Sequence, residues 1–269
     1  MRQFDGRVVA HATAAAGTQD FAMEKLGLSA ATRCVILVGD YGSGKTEIAV
    51  NLALHLAAEG DRSLAIADLD LVNPYFRCRE AVEPLEQAGV RVVIPQGGHR
   101  FADLPILLPQ VKGLLQSDEH LAVLDVGGDE VGSRVLAGLA AAFRPEAHEL
   151  WFVVNAKRPF NDTPQGCVAT IHRIEGACGL RVSGLVPNTH LMQETTVEMV
   201  AEGVVLAETV ASMLAVPVRM VAAMGTVADQ LAVRHPVLRM RRLMVPPWLR
   251  RDSVQLGRTG PDAFRLRST

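Results

Sequence analysis

A lysine and a threonine close the string Gly39-Asp40-Tyr41-Gly42-Ser43-Gly44-Lys45-Thr46, which fills every fixed position of the pattern GxxxxGK[ST]. That spacing suits one task, the cradling of phosphate oxygens. Glycines let successive backbone N–H groups turn inward with no Cβ in the way, and the helix that follows points its positive end at the same place. Lys45 can reach β- and γ-phosphates, and the Thr46 hydroxyl is a ligand type for Mg²⁺. The run from Gly39 to Glu47 is therefore read as nucleotide-contacting. A dinucleotide site is excluded, because Glu47 stands where GxGxxG needs its last glycine.

Acidic residues supply the second half of the chemistry. Asp68 and Asp70 close the apolar run in "IADLDLVNPYF", and Asp125 closes another in "LAVLDVGG". Carboxylates at such ends order Mg²⁺, directly or through its waters, or polarise an attacking water. A helix cap is the alternative for Asp68 and Asp70. Gly127 and Gly128 either allow a segment that senses a γ-phosphate or form a plain turn after the strand.

These groups need a scaffold that brings strand ends together. Apolar runs recur at Cys34–Gly39, Ser63–Asp68, Val90–Pro95, His120–Val126, Glu149–Asn155, Arg181–Pro187 and Val216–Ala222. Four are apolar almost throughout, as befits strands buried on both faces. The stretches between them are long enough for crossover helices. Lys45–Glu59 is the clearest, with Ile48, Leu52 and Leu56 on one face and Gly60 as a stop. The rhythm predicts a doubly wound α/β domain with a mostly parallel sheet of about seven strands and helices on both faces. The carboxyl ends of such strands form the ligand face, so Asp68, Asp70 and Asp125 converge on the phosphate loop. The expected organisation is an N-terminal extension over 1–33, the nucleotide domain over 34–233, and a basic C-terminal extension over 234–269 packed on or beside it.

The phosphate loop, D-x-D after the second strand and the strand-ending D-x-x-G together resemble the SIMIBI class of P-loop NTPases. The similarity runs from about Cys34 to Met224. It is strongest to the group holding the cell-division and partition ATPases (MinD/ParA), the nitrogenase iron protein and cobyrinic acid a,c-diamide synthase. The resemblance implies that Asp68 lies near the metal, Asp70 orients the attacking water and Asp125 is the Walker B aspartate. It also implies that Asn188, in "SGLVPNTH", contacts an adenine; a turn residue is the other reading of that asparagine. Two departures stand out. Relatives carry a second lysine near the start of the loop that reaches across a homodimer, and here that position is Asp40. The cysteine that holds a bridging iron–sulfur cluster is replaced by Asp129 after Gly127-Gly128, so no such cluster is expected.

A guanine-reading [NT]KxD is missing, since Asn155 and Lys157 in "VVNAKRPFND" are wrongly spaced, and ATP is favoured over GTP. Asn155 and Arg158 end the preceding strand and are further candidates to line the same nucleotide pocket. Further polar groups fall on the ligand-face loops: Asn73, Tyr75, Arg77 and Arg79; His99, Arg100 and Asp103; Asp129, Glu130 and Arg134.

Bulk properties narrow the setting. A formal charge of -2 gives no reason to expect nucleic acid as a partner. The four cysteines lie far apart with no CxxC, which suits a reducing cytoplasm. The N-terminus lacks the apolar core of a signal peptide. The arginine-rich stretch before Arg251 is interrupted by Pro246-Pro247, against a membrane-lying helix. The expected protein is a Mg²⁺-dependent cytoplasmic ATPase acting as a nucleotide switch on a protein or metal-centre partner. An amide-forming synthetase and a nucleotide-gated binding module are the alternatives.

Overall fold

The computed structural model describes residues 20–59, 62–70, 78–94, 104–128 and 130–244. Six strands form one all-parallel sheet: β1 (Cys34–Val38), β2 (Ser63–Leu69), β3 (Arg91–Val93), β4 (His120–Val126), β5 (His148–Val154) and β6 (Gly184–Pro187), in the order β3-β2-β4-β1-β5-β6. The strand that feeds the phosphate loop therefore lies directly beside the one that ends near Asp125, with Leu37 opposite Asp125 in the ladder. In β1, Ile36 and Val38 point to one core and Val35 and Leu37 to the other, all buried. Alternation of side chains places both sets in apolar surroundings, which is why the strand carries no polar residue.

Helices cover both faces. α2 (Lys45–Glu59) and α3 (Val82–Gln87) pack on the face reached by Val35 and Leu37. α4 (Leu104–Gln116), α5 (Glu130–Leu139), α6 (Pro164–Cys178) and α7 (Val197–Leu214) supply the core on the other. α1 (Asp20–Lys25) precedes the first strand. Thr163 and Thr196 cap α6 and α7 by accepting the N–H of Gly166 and Met199, the pattern expected of a threonine before a helical turn.

The seventh expected strand does not join this sheet. A single bridge, Leu185 with Val218, joins the segment to β6, and beyond it the Val221 N–H turns to Pro236 O instead of β6. The chain then enters β7 (Val221–Met224), passes through α8 (Gly225–Gln230) and returns as β8 (Val237–Met240), parallel to β7 in a two-stranded ribbon. Leu238, Met240 and Met244 are buried against α2. Among the described residues, no helix is long and apolar enough to cross a membrane.

Candidate functional site

The site is built where β1 gives way to α2. Gly44 takes φ 91°, and a Cβ there would stand 2.3 Å from Asn188 Nδ2, so the turn demands glycine twice over. The loop folds back on its own lysine: Lys45 Nζ donates to Asp40 O at 3.0 Å. On one flank Gly128 lies flush against the loop, where a Cβ would meet Gly39 O at 2.4 Å. That contact gives the Gly127-Gly128 pair a structural reason beyond a turn.

Two aspartates stand behind the loop. Asp68 and Asp125 are cross-strand partners in the β2–β4 ladder and each is 1% exposed. Asp68 Oδ1 accepts the Asp70 N–H at 3.0 Å, which fixes the bend of the D-x-D segment. Burial pushes the Asp125 carboxyl up to about 6; Thr46 and Lys45 pull it down, and Asp70 pushes it further up. Among the described residues Asp125 Oδ1 is buried without a hydrogen-bond partner, while Oδ2 accepts from Cys78 Sγ at 3.7 Å. A buried, half-satisfied carboxylate beside a threonine hydroxyl suits a hard cation that takes its remaining ligands from phosphate and water. Among the described residues no cluster of three or more His, Cys, Asp or Glu could hold a metal unaided. Thr46, Asp125 and Asp68 are thus the residues able to hold Mg²⁺ together with a nucleotide.

The far flank is closed by the loops after β5 and β6. Asn188 Nδ2 donates to Ser43 O at 2.7 Å, and Arg158 Nε donates to Gly42 O at 3.0 Å. Asn155 is wholly buried and spent on backbone: its Oδ1 accepts from Lys157 N and His190 N, and its Nδ2 donates to His190 O. It ties the two loops together and does not line an open pocket. Burial, and secondarily Arg158, hold the His190 imidazole below its ordinary value.

Two residues within the predicted nucleotide-contacting run are directed elsewhere. The Asp40 carboxylate accepts from Asn161 Nδ2 (2.7 Å), Arg173 (2.9 Å) and the Thr170 hydroxyl (3.5 Å). The Glu47 carboxylate accepts the backbone N–H groups of Leu243 and Met244, and Asn51 exchanges two hydrogen bonds with the Arg241 backbone. Tyr41 is exposed on the loop, and Ser43 is buried beneath it. Asn161, Thr170, Arg173 and Cys78 escaped the sequence reading, because no local spacing connects them with the loop they support. Asn73, Tyr75, Arg77, His99, Arg100, Asp103 and Asp129 lie outside the described residues, as do the side chains of Arg79 and Glu130.

No protein-family model matches the chain, and no curated protein matches it. Solved structures do. The signal recognition particle receptor FtsY of Elizabethkingia anophelis superposes with TM-score 0.50 at 15% identity, over 84% of this chain and 69% of that one. Chloroplast FtsY of Physcomitrella patens gives TM-score 0.51 at 18% identity, over 74% and 60%. The 54 kDa signal recognition particle protein of Aeropyrum pernix K1, solved with GDP, gives 0.49 at 19%, over 71% of this chain but only 41% of that one. This chain thus spans less than half the length of that last protein. Likeness at such identity is one of fold: the chain has the SIMIBI-type P-loop NTPase fold. The link to the partition and nitrogenase-type ATPases rests on the sequence motifs alone.

Proposed function

We propose that this chain is a Mg²⁺-dependent P-loop ATPase whose γ-phosphate cleavage works as a switch on a partner. One observation carries the proposal. Lys45, Thr46, Asp68 and Asp125 meet at the carboxyl end of adjacent parallel strands, and Asp125 Oδ1 is buried there with no hydrogen-bond partner among the described residues. In this reading Lys45 leaves the Asp40 carbonyl for the β- and γ-phosphates. Thr46 and Asp125 hold Mg²⁺, with Asp68 supporting them, and the bound ion neutralises charge on the phosphates. Asp70 orients the attacking water. Hydrolysis then alters the segments that follow Asp70 and Gly127.

Asn188 serves two purposes here. One amide hydrogen braces Ser43 O, and the second is assigned in this reading to a purine N7. Adenine and guanine share N7, so this contact selects a purine, and the preference for ATP rests on the missing [NT]KxD. If a homodimer forms, it forms without a loop lysine, since the Asp40 side chain is held by α6. The location proposed is the cytoplasm.

Calorimetric titration of Mg·ATP and Mg·GTP into the parent and Lys45→Ala tests the proposal. Binding to the parent should favour ATP, and the variant should lose it. A variant that binds Mg·ATP as tightly as the parent overturns the reading.

A further inference from the structure

Cys78 opens the short 3₁₀ turn Cys78–Ala81 and is completely buried. A small thiol in a core is ordinary, because cysteine behaves there as a compact hydrophobe. This one has a polar neighbour. Its Sγ lies 3.7 Å from Asp125 Oδ2, within range of an S–H···O contact. A thiol carries its own hydrogen and is a weak donor, and the approach of Sγ to Oδ2 lets Cys78 donate to the carboxylate. Of the two Asp125 oxygens, Oδ2 is engaged by sulfur, while Oδ1 has no hydrogen-bond partner among the described residues, with the Thr46 hydroxyl beside the carboxylate.

We propose that Cys78 is a positioning residue for Asp125. Its S–H engages Oδ2, orients the carboxylate plane and leaves Oδ1 as the oxygen presented to the divalent cation. The inference rests on the nucleotide reading given above for what the carboxylate is positioned to do, but the contact itself does not. A donor to the far oxygen of a ligating carboxylate adjusts that ligand's direction and basicity without touching the metal.

Serine, alanine and valine separate this role from simple filling of space. If Cys78 only fills a hole, Ser is the worst replacement, since it buries a hydroxyl, and Ala or Val is better tolerated. If Cys78 donates, the order reverses for cation binding. Mn²⁺ affinity, read by electron paramagnetic resonance with ADP present, should stay within about 3-fold of the parent in Cys78→Ser. It should fall about 10-fold in Cys78→Ala and Cys78→Val. Metal-free ADP affinity should change little in any of them.

The second measurement needs no nucleotide. Unfolding by denaturant of the apo parent, Cys78→Ala, Asp125→Asn and the double variant closes a thermodynamic cycle. Coupling of about 2-fold or more in the folding equilibrium constant supports the contact. Additive effects in the cycle overturn the proposal, as does equal Mn²⁺ affinity in Ser and Ala variants. Should the parent bind no nucleotide, the functional reading fails and the cycle still decides whether Cys78 holds Asp125.

Discussion

Asn161 Nδ2 donates to Asp40 Oδ2 across 2.7 Å, joining the second residue of the phosphate loop to the turn that precedes α6. Arg173 approaches the other carboxylate oxygen at 2.9 Å. The acid that stands in place of a loop lysine is thus an anchor, with two donors aimed at it from 121 and 133 residues away. Restoring the lysine should consequently damage the fold. Asp40→Lys sets a cation against an amide and a guanidinium, and should lower stability by roughly 2–4 kcal/mol. Chemical denaturation of the apo protein measures it, and a neutral or stabilising result contradicts the anchoring role.

Asn188→Ala should leave Ser43 O buried without its donor, at a cost of about 1–3 kcal/mol. Because N7 is common to both purines, affinity for ATP and GTP should fall by similar factors. Gly44→Ala should be harsher, combining a left-handed φ with a collision against the same amide. Paired titrations with the two nucleotides check the first variant, and thermal unfolding the second.

Asp125 carries a pH signature whose sign can be worked out. Its folded value of about 6 lies above the unfolded range, because burial disfavours the ionised form. The associated stability is present below the unfolded value and is lost as pH rises through about 6. Asp125→Asn does not titrate, so it should be more stable than the parent at pH 7.5, by on the order of 2 kcal/mol. That advantage should vanish near pH 4, and hydrolysis should be abolished throughout. Denaturant unfolding across pH 4–8 measures the curve; a parent that gains stability relative to Asp125→Asn as pH rises excludes the assigned cause.

Glu47→Ala removes the acceptor for two backbone N–H groups at Leu243 and Met244. Amide exchange at those two positions should accelerate by at least an order of magnitude, with about 2–3 kcal/mol of stability lost. Exchange in β1 and β4 should be slowed or hastened only in proportion to global stability. Hydrogen-exchange mass spectrometry resolves the two regions.

What could be read from sequence was what chemistry writes locally. Fixed spacing in Gly39–Thr46 marks the phosphate loop, and apolar runs closed by Asp68 and Asp125 mark strand ends. The parallel sheet and its helices follow from that alternation. What remained hidden depends on contacts that only the folded chain creates. Glu47 looks like part of the loop because it adjoins Thr46, yet one helical step turns its carboxylate toward residue 243. Asn161 and Arg173 have no pattern of their own, and Cys78 reads as an isolated buried thiol until β4 places Asp125 beside it.

The clasp between Asn51 and Arg241 spans 190 positions of sequence. During synthesis at roughly 5–20 residues per second, about 10–40 s separate the appearance of its two halves. Throughout that interval the first turns of α2 exist without the segment that later fastens them. The last of the described residues to be made are therefore among those that finish the helix under the phosphates. A ribosome stalled before residue 241 holds a chain whose α2 is still unclasped, however complete its six-stranded sheet.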